Sequence, residues 1–341
     1  MMRHSLSVPA GGAARGRRGA VSAALGLLAV ALSIAALSLL RGSYGLSADQ
    51  VWLALNGQAD AMGHLIILEM RLPRLIAAVV VGICLGVAGA IFQGLCRNPL
   101  ASPDVMGFTT GAATGALAGI LLLGASGTAI GALLGGAGAG LLVQLVSRGR
   151  LRGDSFILSG VGVTAMLAAF NEYLVTRVDL EKAEMAKTWL FGSLAGASWS
   201  HLVLAVPAMI ILLVAVAVLW PRMRLLAMGD DLATALGLPT RSSRLWLTVF
   251  GICLTVLATT LAGPVHFLAL AAAPLARRLF RTPDSGLAGS AAMGAVLMMF
   301  ADFLAQRLMA PFQIPVGLIT GAVGGVYLVV LLSWSRRKGK V

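Results

Sequence analysis

The 341-residue chain is 58% hydrophobic and only 11% charged, with 42 glycines, a mean hydropathy of +0.91 and a formal charge of +13. Soluble domains carry roughly 25% charged residues, so an ordinary soluble fold is excluded and the chain belongs in a bilayer. At about 20 apolar residues per spanning helix, ten helices take roughly 200 residues and leave short connections, with little room for a soluble catalytic domain.

In chain order, a basic leader over residues 1–19, with Arg15, Arg17 and Arg18, precedes the first apolar run, residues 20–40. That run exceeds the core of a secretory signal and lacks a clear cleavage site, which predicts a retained helix. Further apolar runs cover 72–95, 105–124, 127–146, 156–176, 202–220, 245–262, 263–276, 286–308 and 316–334, and a basic tail follows over 335–341. The expectation is an all-α polytopic membrane protein with about ten transmembrane helices in one domain over 20–334. Cytoplasmic loops near helix ends carry the excess of lysine and arginine. Placing both termini inside puts 19 basic residues on the inner segments and 7 on the outer ones. The +13 therefore reads as a topological label, and no nucleic-acid-binding motif accompanies it.

Cys84, Cys96 and Cys253 lie in or beside apolar runs and read as small buried hydrophobes. The four histidines are scattered, without an HExxH or a His/Cys cluster, so no metal site is expected. Glycine suits close helix packing in lipid, where small residues let backbones approach. Gly107, Thr110, Gly111, Ala112 and Gly115 recur in order and spacing as Gly317, Thr320, Gly321, Ala322 and Gly325. The recurrence reads equally as an internal repeat or as two similar glycine-rich packing faces.

Polar and proline-bearing stretches carry the functional signal, because irregular backbone at membrane depth survives only where protein or a wet cavity satisfies it. Arg71-Leu72-Pro73-Arg74 opens the second long run on the outer side; its arginines can snorkel to headgroups or meet carboxylates on a docking protein. On the inner side, residues 93–104 hold Pro99 and Pro103 with Asn98 and Asp104, which cannot continue a regular helix. They form either a plain loop or a constriction on a permeation path. The longest inner loop, 221–244, contains Gly229-Asp230-Asp231-Leu232-Ala233-Thr234-Ala235-Leu236-Gly237-Leu238-Pro239. An Asp cap, leucines four apart and a Gly-then-Pro stop predict a short amphipathic helix outside the membrane. With acids at its start and no basic face, it fits a protein groove better than a lipid surface. Breaks are also expected before the eighth and tenth runs, at 263–270 and 311–317. Glu172 and Asp302 are the intramembrane acids, open to a functional role or to a structural tie with an arginine.

The ordered set RLPR, GLCRNPLASPDVMGFTTGAATGA, GDDLATALGLP, GPVHFLALAAAPLARR, ADFLA and IPVGLITGAVGG, spread over residues 71–331, resembles the FecCD permeases of ABC importers for iron siderophores, haem and cobalamin. The resemblance implies a type II ABC importer permease in the bacterial cytoplasmic (inner) membrane, with both termini cytoplasmic. It implies dimerisation with a second copy or a paralogous permease, around a path lined by the fifth and tenth helices. It also implies that Arg71 and Arg74 receive glutamates of a periplasmic or lipoprotein binding protein, and that Asn98 and Leu100 narrow the path on the cytoplasmic side. Asp154 and Ser155, in the turn before the fifth helix, would lie near a second gate. Gly229, Asp230, Asp231, Leu232, Leu236 and Gly237 would couple to a cytoplasmic ATPase dimer. Departures fall at the inner end of the eighth helix, where Leu275 stands in place of the family's histidine and 281–284 lack its Gly-x-Asp-His-Arg. Gln313 replaces an acid.

The chain contains no GxxxxGK[ST] loop, so ATP and Mg would be bound by the partner ATPase, with no cofactor in this chain. A secondary transporter would be expected to hold ion-binding charges at mid-membrane, and these are nearly absent. An enzyme would need a nucleophile with a base or a metal cluster, and the sequence offers neither.

Overall fold

The computed structural model describes residues 11–41, 45–147, 153–281, 286–310 and 312–337. Its helices are α1 (Gly11–Leu40), α2 (Ala48–Leu55), α3 (Ala61–His64), α4 (Leu72–Cys96), α5 (Phe108–Leu123), α6 (Gly127–Val146), α7 (Gly153–Thr176), α8 (Leu180–Leu190), α9 (Trp199–Ala227), α10 (Asp230–Ala235), α11 (Thr240–Ala262), α12 (Leu268–Phe280), α13 (Gly286–Arg307) and α14 (Val316–Arg337). No strand is formed among the described residues beyond one isolated bridge between Arg41 and Gly45.

Each of the ten apolar runs falls on a helix, yet among the described residues seven helices are long and apolar enough to cross a membrane. Of the other three, α5 has 16 residues and α12 has 13, and the side chains of α14, a 22-residue helix, are described only through Val329. The shortening of α5 and α12 has a common cause: each shares its depth in the bundle with a largely buried non-helical stretch, 101–107 before α5 and 263–267 before α12.

Several helix boundaries differ from the sequence expectation. The first helix begins at Gly11, well inside the basic leader. Arg71 does not open a helix: Ala61–Cys96 is one 36-residue helical run in which Leu65–Arg71 forms a π turn. Pro73 offers no amide, and the wider turn, with the Leu72 amide reaching back to Ile67 O, absorbs the missing bond without ending the helix. Likewise α9 runs through both Pro207 and Pro221 to Ala227, so the inner loop shrinks to two short connections on either side of α10. The fifth apolar run starts at Gly153, which places Asp154 and Ser155 in the first turn of α7 instead of in a preceding turn.

The core is organised around α4, which packs against α13, α12, α11 and α9. Glycines set these distances. A Cβ on Gly82 would strike the Gly294 carbonyl of α13, and one on Gly89 would strike that of Ala269 in α12. Closest of all is the α5–α6 hairpin, where Gly111, Gly115 and Gly119 face Gly135, Gly131 and Gly127 backbone to backbone.

Candidate functional site

The described residues concentrate polar chemistry at the two ends of the bundle. At the inner end, α4 closes with the Asn98 amide bonded to Gln93 O and the Arg97 amide to Gly94 O. This is a Schellman pattern that sets Arg97 in the left-handed region at φ 51. From there the Arg97 guanidinium reaches Leu226 O at 2.9 Å and Asp230 Oδ1 at 3.3 Å. Arg244, buried on α11, also pairs with Asp230 and donates to Leu95 O at 2.9 Å. Asp230 is the first residue of α10; Gly229, at φ 125, occupies the cap position that the sequence assigned to an aspartate. The far end of α10 closes with the Leu238 amide on Ala233 O and the Gly237 amide on Thr234 O, a second Schellman pattern with Gly237 at φ 80. Beyond these ties the helix is open: Asp231 is exposed, and Leu232 and Leu236 are 44% and 59% exposed.

The segment after Arg97 is no plain loop. Asn98 Oδ1 accepts from the Leu100 amide at 2.9 Å to form a tight turn, with Leu100 exposed, and the chain then folds back into the bundle. Ala101, Ser102 and Met106 are fully buried. Asp104 Oδ2 accepts from the Phe267 amide at 3.0 Å and so caps the N-terminus of α12, while its other oxygen has no protein partner. Met106 and Gly107 lie against Gly160 and Thr164 of α7. Gln93 completes the region by donating to Leu270 O and accepting from Arg277. Ser155 is exposed, and its carbonyl accepts from Ser159 Oγ. The side chain of Asp154 and the basic segment 148–152 lie outside the described residues.

At the outer end, a cavity of about 360 Å³ is lined by Glu69, Arg71, Arg74, Asp302, Arg307 and Gln313, among others. Arg74 is engaged within the chain. Its guanidinium meets Asp302 through Nε at 3.1 Å and Nη2 at 2.9 Å, and Gln313 Oε1 through Nη1 at 2.7 Å. Asp302 therefore takes the structural tie left open by the sequence. Arg71 donates to Leu39 O and lies within electrostatic range of Arg307, whose Nη2 is buried with no hydrogen-bond partner. Sequence reasoning missed Arg307 as a member of this cluster, and missed Arg97, Arg244 and Asp104 as anchors. A lone basic residue in the last turn of α13 was the available signal for Arg307.

The two glycine pentads are not equivalent. Gly107 caps α5, and Gly111 and Gly115 are packed against α6. Gly317 sits on Phe191 O, but Gly321 and Gly325 of α14 face open space. Among the described residues no group of His, Cys, Asp and Glu side chains could hold a metal ion.

Comparison with known proteins places these features in context. The FecCD transport family matches residues 27–334. The ferric enterobactin transport system permease protein FepG of Escherichia coli is 46% identical over 300 residues, covering 87% of this chain and 91% of that protein. The hemin transport system permease protein HmuU of Yersinia pestis is 34% identical, covering 92% and 96%. A solved structure of a metal-chelate type ABC transporter in an inward-facing conformation matches with a TM-score of 0.80 at 28% identity, over 91% of this chain and 98% of that one.

Proposed function

Because the chain belongs to the FecCD transport family, we propose that it is the permease subunit of an ABC importer that moves an iron–siderophore complex across the bacterial cytoplasmic membrane. The observation that carries this reading is α10: a short helix outside the long spans, ion-paired to α4 and α11, with two leucines uncovered for a partner. An ATPase dimer supplies that partner, binds ATP and Mg, and drives the switch between outward and inward access. This subunit itself catalyses no reaction. The 46% identity to a ferric enterobactin permease, against 34% to a hemin permease, favours a siderophore over haem or a corrinoid.

In this reading ten helices cross the membrane with both termini cytoplasmic. The largely buried stretches 101–107 and 263–267 complete the spans of α5 and α12. Asn98 and Leu100 form a cytoplasmic constriction on the path, with Asp154 and Ser155 near a second. The open Gly321 and Gly325 face of α14 turns toward the path and the second permease, which is another copy or a paralogue. On the outer face, Arg71 and Arg307 meet acidic groups of a periplasmic or lipoprotein binding protein, while Arg74 is held by Asp302 as their support.

The test pairs two variants of the assembled complex. Leu232→Glu with Leu236→Glu should abolish co-purification with the ATPase. Arg71→Glu with Arg307→Glu should leave the ATPase bound but weaken binding-protein association and uptake. Retention of the ATPase by the first, or normal uptake by the second, would overturn the corresponding assignment.

A further inference from the structure

Asp230 is held by two arginines from two different transmembrane helices, and both arginines also cap the ends of others. Arg244 of α11 holds Leu95 O in the last turn of α4, and Arg97, just past that turn, holds Leu226 O in the last turn of α9. The carbonyl ends of α4 and α9 each carry partial negative charge, so each guanidinium faces both a carboxylate and a helix C-terminus. Arg97 is also the residue from which the Asn98–Leu100 turn departs. Its backbone is left-handed, a conformation that suits glycine and is strained for arginine. An arginine at a position where glycine would relieve strain, with its guanidinium bonded to Leu226 O and Asp230, points to a task for that group.

We infer that the Arg97–Asp230–Arg244 cluster is the positioning element that converts displacement of α10 into displacement of the Asn98–Leu100 constriction. The inference rests on the readings of α10 as the ATPase contact and of Asn98–Leu100 as the cytoplasmic constriction. A push on α10 cannot be absorbed at Asp230 without breaking charge-assisted bonds to buried Arg244 or to Arg97, so the movement passes to the end of α4 and the turn beyond it. Arg97 acts through this turn and touches neither ATP nor the transported complex.

The test uses the full complex of permease, ATPase and binding protein in proteoliposomes, with Cys84, Cys96 and Cys253 replaced by serine and a single reporter, Leu100→Cys. Trapping the ATPase with ATP and vanadate should change the rate at which a cytoplasmic maleimide modifies that cysteine by roughly tenfold, within the range usual for coupled sites. Arg97→Gly relieves the strained backbone, so folding and ATPase retention should survive while the change falls below about twofold. Arg97→Lys, which keeps the charge, should restore part of it. A full change in Arg97→Gly, or no change in the parent, would overturn the inference. Co-purification of the Leu232→Glu, Leu236→Glu variant with the ATPase would instead remove the reading of α10 on which it rests.

Discussion

Replacing Asp302 by alanine gives the sharpest test of the outer cluster. The Asp302 carboxylate accepts from Arg74 Nε at 3.1 Å on each oxygen, from Nη2 at 2.9 Å, and from Gln306 Nε2 at 2.7 Å. The side chains of Arg74 and Asp302 are 12% and 5% exposed, so water reaches them only from the cavity they line. Removing the carboxylate leaves a buried guanidinium with Gln313 as its remaining acceptor in this site, and breaking a buried pair in this way costs about 3–5 kcal/mol. It also removes one of the two carboxylates, with Glu69, that face three arginines around the cavity, which adds to the loss. Replacing both members, as Arg74→Met with Asp302→Leu, removes the stranded charge and should recover most of the stability. Unfolding midpoints in graded SDS, read by near-ultraviolet dichroism, would form a double-mutant cycle with a coupling of about 2–3 kcal/mol. An Asp302→Ala midpoint within about 0.5 kcal/mol of the parent, or a double variant no better than the single, would refute the argument.

Three other outcomes follow from the same geometry. Gly115→Leu and Gly131→Leu each drive a side chain into the facing helix backbone and should destabilise the α5–α6 hairpin by about 3 kcal/mol or more, seen as loss of monodisperse protein in detergent; Gly138→Leu, with open space at its Cβ, should behave as the parent. Asp104→Ala strands the Phe267 amide and should lower the SDS midpoint by about 1–3 kcal/mol, whereas Asp104→Asn keeps an acceptor and should lose less. Gly237→Ala forces a Cβ into the left-handed region at φ 80 and should weaken the Schellman closure of α10 by about 1–2 kcal/mol, measured as faster amide exchange at Leu238.

What could be read from the sequence was whatever depends on near neighbours. Long uncharged runs became helices because lipid leaves the backbone no other partner, and Gly237 stopped α10 because only a residue content with positive φ closes that turn cheaply. The prolines misled. Pro73 and Pro221 look like helix boundaries in water, yet here a π turn or the surrounding helices take up the missing bond and the helix continues. Long-range partners were invisible. Nothing local announces that Asp302 meets Arg74, 228 positions away, or that Asp104 caps α12, 163 positions on. The glycine pentads make the same point: identical spacing serves helix contact in α5 and an open face in α14, because the neighbour decides and not the letters.

Both charged clusters fasten the same helix. Arg74 lies in the first turn of α4 and binds α13 through Asp302, while Arg97 and Arg244 close its last turn onto α9, α10 and α11. Between them α4 runs 25 residues, about 37 Å at 1.5 Å per residue, and it is mostly buried along its length with glycines in backbone contact with α12 and α13. A helix packed this closely does not shorten or bend by small increments, because the surrounding backbone leaves no slack. Displacement imposed at one end must then either move α4 as a body or break one of the clusters. Each cluster holds one largely desolvated pair, Arg74–Asp302 at one end and Arg244–Asp230 at the other, and such pairs are expensive to break, so rigid movement is the lower-energy route. The scarcity of charge in the chain thus acquires a mechanical meaning: the few ion pairs among the described residues stand where a nearly featureless apolar helix needs fixed points at its ends.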